Sequence, residues 1–301
     1  METDSKAMVM ASFLGDTLAL GAHWIYDTDK IYKLFGRVDS LLKPRVDSYH
    51  PKKDKGDFTH YGDQTFVLLE SVAARRGFDL EDFSDRWRSL FEDYNGYIDQ
   101  ATSITLSKYA AGNSAGYAGS QSDDFAGASR IAPLVYCYRK DLGNLVKNTR
   151  SQTIMTHNNP LTIDSTEFFA RVSWSVLNST NPVEAMKQVS YEHFRESPLS
   201  TWVYNGIESK DTESLRAILR FGQSCHTQEA FPSTVHLIAR YERDLKEALV
   251  QSVMAGGDSA ARNMMTGMVL GASLGPESLP KDWLDNLKKR DDILKLLTKI
   301  N

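Results

Sequence analysis

From Asp258 onward, Ala261, Met264, Met265, Met268, Val269 and Ala272 recur at the i, i+3, i+4, i+7 intervals of a helix. Gly267 and Gly271 leave room for close neighbours, so the spacing predicts a helix buried inside the fold. The Gly-x-x-x-Gly interval also occurs in membrane spans. This segment is too short to cross a bilayer and carries Arg262 and Asn263, so close packing in a water-surrounded core is the better reading.

The same periodicity recurs along the chain. Leu80, Phe83, Trp87, Leu90, Phe91 and Tyr94 form an apolar stripe opened by Asp79 as N-cap, and Asn181-Pro182-Val183-Glu184 is a helix start with Pro at the first position. Further helices are expected at about 5 to 22, 64 to 76, 98 to 111, 126 to 140, 161 to 178, 183 to 194, 211 to 222, 233 to 241, 243 to 255 and 281 to 299. No run alternates as a half-buried strand would. No repeat or linker divides the sequence, and an all-α fold forming a single domain over 1–301 is expected. Two stretches resist helix assignment, 36–61 and 112–124; loops this long are commonly functional, and Asp57-Phe58-Thr59-His60 leads straight toward Asp63.

Composition narrows the function classes. An apolar fraction of 41% assures a sizeable core, and a net charge of -4 with dispersed Lys and Arg offers no basic face for nucleic acid. Cys137 and Cys225 are too few for a disulfide framework or a thiolate zinc cage. The first residues lack the positive segment of a signal peptide, so a cytoplasmic protein with no membrane partner is expected. Neither H-E-x-x-H nor G-x-S-x-G occurs, which argues against a zincin and a serine hydrolase.

Candidate chemistry gathers at aspartates that open helices. Tyr61-Gly62-Asp63-Gln64-Thr65 and Gly256-Gly257-Asp258-Ser259 each place a carboxylate beside glycine at an apparent helix start, where free N–H groups and the helix dipole favour anionic ligands. Glycine there lets backbone approach a ligand, although each aspartate can equally be a plain N-cap. Asp124-Phe125-Ala126-Gly127 repeats the pattern and runs on to Arg130. Asp16 interrupts an apolar helix; it either bonds backbone and hydroxyl groups within the bundle or serves a site. His60 and His157 lie in loops near the expected cleft, with a structural role as the alternative. Trp24, Tyr26, Phe58 and Tyr117 could stack on a base or simply anchor loops.

Gly15-Asp16, Tyr61 to Thr65, Gly127 to Leu134 followed by Thr156-His157, and Gly256 to Gly271 with the later Trp283-Leu284 occur in an order that resembles the ADP-ribosylglycohydrolase family. His23 to Asp27 and Gly256 to Arg262 are similar to its divergent branch that includes J-crystallins and selenoprotein J. The resemblance implies an orthogonal multi-helix bundle with a central cleft, in which a magnesium pair orients a ribose for hydrolysis of its glycosidic bond. Its ligand would be a small ribosyl or nucleotide molecule. The alternative is a non-catalytic nucleotide-binding or structural, crystallin-like member.

The chain departs from the family pattern at working positions. Gln64 replaces the second aspartate of Thr-Asp-Asp-Thr, Ala260 and Ala261 replace the final Asp-Thr of Gly-Gly-Asp-Thr-Asp-Thr, and His23 stands where a glutamate is usual. By that correspondence Asp63, Thr65 and Asp258 would hold at most one weakly bound magnesium ion. His23, Asp63 and Asp258 are the expected catalytic residues, with His23 as acid or base. Asp16, Gly62, Asp124, Gly127, His157, Gly257 and Arg262 are the expected ligand contacts. Arg262 could supply the lost metal charge by pairing with Asp63, Asp258 or a phosphate, or simply salt-bridge the two aspartates.

Overall fold

A computed structural model describes residues 2–300. The chain opens with α1 (Glu2–Ala19) and α2 (Thr28–Phe35), crosses a long loop, and continues with α3 (His60–Arg75), α4 (Leu80–Leu90) and α5 (Gln100–Ala110). After a second loop come α6 (Ala126–Ser129), α7 (Ala132–Cys137), α8 (Leu142–Ile154), α9 (Pro160–Leu177), α10 (Pro182–His193) and α11 (Pro198–Glu208). The remainder comprises α12 (Ser214–Phe221), α13 (Thr227–Arg240), α14 (Leu245–Met254), α15 (Ser259–Leu274), α16 (Lys281–Asn286) and α17 (Arg290–Ile300). Among the described residues no sheet forms; Ser120 with His157 and Asp124 with His226 make only isolated bridges.

The all-α expectation is met, and α15 is the axis of the fold. Ser259 through Ala272 are buried on every face, and the helix packs along α1 and against α9, α13 and α14. Contact with α1 is close because a Cβ on Gly15 would lie 2.5 Å from the Asn263 carbonyl, and one on Gly267 would strike the carbonyl of Ala11. Small residues therefore set the interaxial distance, as the Gly-x-x-x-Gly spacing predicts.

Boundaries differ from the sequence reading where local caps prevail. The helix expected to 22 ends at Ala19, releasing His23 and Trp24 into a turn. The span 126 to 140 is broken at Arg130 and Ile131 into α6 and α7, and 281 to 299 is broken between α16 and α17. Three helices, α2, α8 and α11, were not expected. Each carries an N-cap that was available to read: Asp27, Asp141, and Ser197 before Pro198.

Candidate functional site

The loop between α14 and α15 is the first element of the site. Gly256 and Gly257 adopt φ of 72° and 68°, a left-handed backbone that suits glycine, and Trp24 follows at φ 64°, a strained conformation for so bulky a residue. Hydrogen bonds fix all three: Trp24 N–H donates to the Gly257 carbonyl at 3.0 Å, and Gly257 N–H to that of Ile25 at 2.9 Å. The turn after α1 is thereby laced to the start of α15. The buried Arg262 guanidinium secures the same loop by donating to the carbonyls of Gly256 at 2.6 Å and Ser252 at 3.1 Å, with Gln223 at 3.4 Å. Its expected ion pair with Asp63 or Asp258 is absent among the described residues; backbone carbonyls are its hydrogen-bond partners.

Asp258 is the N-cap of α15, as expected, accepting from Ala261 N–H at 3.4 Å. Its two oxygens also receive the Tyr61 hydroxyl at 2.9 Å and face His23 Nε2 at 3.1 Å. Burial alone would raise its pKa, but His23, Arg262 and Tyr61 outweigh burial and hold it below the ordinary value. Asp124 and Cys225 complete a cluster in which one ligand atom from each residue lies within 4.8 Å of the others. Asp124 accepts from Ala126 N–H at 2.8 Å, and the Cys225 sulfur lies within 4.8 Å of its carboxyl. Burial, then the charges of Asp258 and Asp99, push the Asp124 pKa well above normal. Two carboxylates so close and so dry cannot both carry charge, and the proton belongs to Asp124.

Asp124, Asp99 and Cys225 line a cleft of about 430 Å³ together with Trp24, Tyr97 and Gln121. Asp99 caps α5 through Thr102 N–H at 2.6 Å and lies 3.3 Å from His60 Nε2. Burial would raise its pKa, yet His60 and the Thr102 N–H prevail and hold it low. Above it His23, His50 and His60 are buried together, with Trp24, Tyr49 and Tyr97 rings packed around them.

The remaining expected residues divide. Asp16 is fully buried and serves the bundle: its carboxylate accepts from Thr59 N–H at 2.8 Å and Thr59 Oγ1 at 2.5 Å. Burial raises its pKa to about 6. Gly62 packs against that carboxylate, and Gly127 is a packing glycine whose Cβ would lie 2.5 Å from the His157 ring. His157 bonds Thr156 Oγ1 through Nδ1 at 2.8 Å, while its buried Nε2 has no partner. Burial lowers its pKa to about 3, so it stays neutral. Gly257 belongs to the loop beside Asp258 rather than facing the cleft.

Asp63 is not the helix cap that its neighbours in sequence suggest. Helix α3 starts at His60, and its N-cap is Thr59, which accepts from Tyr61 N–H. Asp63 therefore lies inside the first turn, with its carboxylate held by Lys53 and by the Tyr94 hydroxyl at 2.6 Å. The Thr65 hydroxyl donates to the Tyr61 carbonyl at 2.8 Å. Asp63 joins neither three-residue cluster able to hold a metal among the described residues, and Ala260 offers no donor. Asp63 and Thr65 are thus already engaged with Lys53, Tyr94 and backbone, where magnesium needs converging free hard ligands. Gln64, where the resemblance expects an acid, instead accepts from Trp87 Nε1 at 2.8 Å and Arg130 at 2.6 Å. His23 has both ring nitrogens engaged, Nδ1 with His50 Nε2 at 2.9 Å and Nε2 with Asp258, so neither is free to accept a proton from a cleft water.

Sequence reasoning missed Asp99, Cys225, His50, Tyr97 and the capping role of Thr59. An aspartate three residues before Thr102 was a readable cap; the others carry no local signal.

Comparison with known proteins agrees with the architecture. Crystallin J1A of Tripedalia cystophora is 24% identical over 96% of this chain and 94% of its own length. The ADP-ribosylarginine hydrolase Tri1 of Serratia proteamaculans (strain 568) is 25% identical over 80% of this chain and 66% of its own. A solved ADP-ribosylglycohydrolase-related protein complex superposes with a TM-score of 0.77 at 23% identity, covering 99% of this chain and 97% of that one, a likeness of fold. The profile of the ADP-ribosylglycohydrolase family spans residues 3–301, nearly every position over which the helices and the cleft are built, and the chain belongs to that family.

Proposed function

We propose that this protein hydrolyses the glycosidic bond of an ADP-ribosyl or related ribosyl ligand, with Asp124 as the general acid. The observation that carries this reading is the proximity of Asp124, Cys225 and Asp258, each with one atom within 4.8 Å of the others, at an aromatic-walled cleft. Glycoside cleavage needs one carboxyl that keeps its proton and one that stays ionised. Asp124 holds a proton that it can deliver to the departing atom as the glycosidic bond breaks, the ionised Asp99 on the cleft wall stabilises positive charge at the anomeric carbon, and water then bonds that carbon while its proton returns to Asp124. Asp258, at 0% exposure, acts from behind as a fixed negative charge. Trp24 and Tyr97 offer faces on which a base or leaving group stacks. His23 takes a positioning role toward Asp258.

Family membership and the likeness to an ADP-ribosylarginine hydrolase support the chemistry, and the working compartment proposed is the cytoplasm. No helix among the described residues is long and apolar enough to cross a membrane. A screen of ADP-ribosylated arginine, ADP-ribosylated serine, ADP-ribose esters and nucleosides, with divalent metal present, tests the proposal. Asp124→Asn is expected to lower turnover about 10²- to 10⁴-fold while ligand binding persists. A wild type that turns over none of these rejects it. Binding of ADP-ribose without turnover would support the second reading, a non-catalytic, crystallin-like member. That reading is favoured by the sequestered Asp63 and by the likeness to Crystallin J1A.

A further inference from the structure

Three imidazoles share one dry pocket. His23, His50 and His60 are 2%, 1% and 1% exposed, and each offers one ring nitrogen within 4.8 Å of the other two. They come from three separate segments: the turn after α1, the loop before α3, and the first position of α3. Their internal hydrogen bonding does not close. If the ionised Asp258 receives Nε2–H of His23, then His23 Nδ1 is a bare acceptor filled by His50 Nε2–H. His50 Nδ1 is then left buried with no partner, and both nitrogens of His60 lack an aligned one. Buried polar atoms are rarely abandoned in this way, and an ion among the three rings accounts for the His60 nitrogen that turns away from Asp99.

We propose that His23, His50 and His60 form a binding site for a single borderline divalent cation of the zinc type. Nitrogens bound tetrahedrally to zinc at about 2.0–2.1 Å lie roughly 3.3 Å apart, so the 2.9 Å between His23 and His50 needs only a slight opening. The surroundings match what a metal-bound histidine requires. Asp258 holds His23 by its far nitrogen, and Asp99 lies 3.3 Å from His60 Nε2, leaving Nδ1 to point elsewhere. Imidazole suits zinc, copper, nickel and iron, whereas magnesium prefers oxygen. The site is built from different side chains than the oxygen set the family pattern implies, and it stands whether or not the cleft turns over a ribosyl ligand. A cavity of about 380 Å³ bordered by Tyr49, His50, Lys53 and Tyr97 gives an approach from solvent.

The test uses the full chain stripped with chelator. Zinc calorimetry should show one site, and cobalt should give the visible spectrum of a four-coordinate nitrogen-ligated ion without a thiolate charge-transfer band. Magnesium in large excess should displace neither. His50→Ala and His60→Ala should each abolish binding, with circular dichroism confirming their fold. Asp99→Asn, which changes the group facing His60 without removing a metal ligand, should weaken zinc about 10- to 100-fold. Should His60→Ala fail to fold, His50→Gln in the loop serves in its place. The proposal is overturned by absence of zinc heat and cobalt colour, by binding unchanged in the histidine variants, or by a thiolate band lost in Cys225→Ser, which would move the ion to the Asp124 cluster.

Discussion

At the scale of single residues, the decisive feature is how often an aspartate is committed to the protein's own backbone. Asp16 illustrates this and carries a pH consequence. Its folded pKa of about 6 exceeds the ordinary 3.8, so the folded state binds this proton more tightly than the unfolded chain does. Its contribution is most favourable below about pH 4 and is lost as pH rises toward 6, a change of roughly 3 kcal/mol at 1.36 kcal/mol per pH unit. Asp16→Asn keeps an acceptor for Thr59 N–H and a donor for Thr59 Oγ1, but it cannot titrate. Denaturant unfolding at pH 4 and pH 7 should show wild type losing ground to the variant by that amount; parallel stabilities would refute the assignment. The roles of such residues were only partly legible in sequence. Asp258 was readable as a cap because Gly-Gly precedes it and an apolar period follows. Asp63 misled, since Gly62 beside it imitates a helix start, while Thr59 had already supplied the cap one turn earlier.

At the scale of elements, the contact between α1 and α15 positions the turn bearing His23 over the loop bearing Asp258. Adding a methyl at Gly267 would force the Ala11 backbone away, because a peptide carbonyl cannot rotate aside as a side chain can. Gly267→Ala should therefore destabilise the protein by about 1–3 kcal/mol despite alanine's better helix propensity. Gly116→Ala, with open space around it, should stay within about 0.5 kcal/mol. Equal melting midpoints for the two variants would sink the argument. Helices were legible where periodicity and caps coincided, as in α4, α10 and α15. The histidine pocket was not legible, because His50 belongs to the loop 36–59, whose path is set by packing between distant elements and by no local pattern.

For the whole molecule, one apolar cluster extends from Met8 to Leu297 and joins α1, α3, α9, α13, α15 and α17. The smaller cluster around Ile218, Leu237 and Ala255 draws on α13, which also serves the large one. Among the described residues neither end of the sequence has a core of its own, and we propose that the chain unfolds as one unit. Scanning calorimetry should give a single transition whose calorimetric and van't Hoff enthalpies agree, and two resolved peaks would contradict it. The tether made by Arg262 bears on how such a unit meets its ligand. Because one guanidinium gathers carbonyls from α14, from Gly256 and from Gln223, the loop that leads into Asp258 has lost its rotational freedom at the moment of folding. Under the proposed function, a ligand meeting Asp124 would find Asp258 behind it already held in its final place, and its affinity would not be diminished by the disorder it would otherwise have to remove.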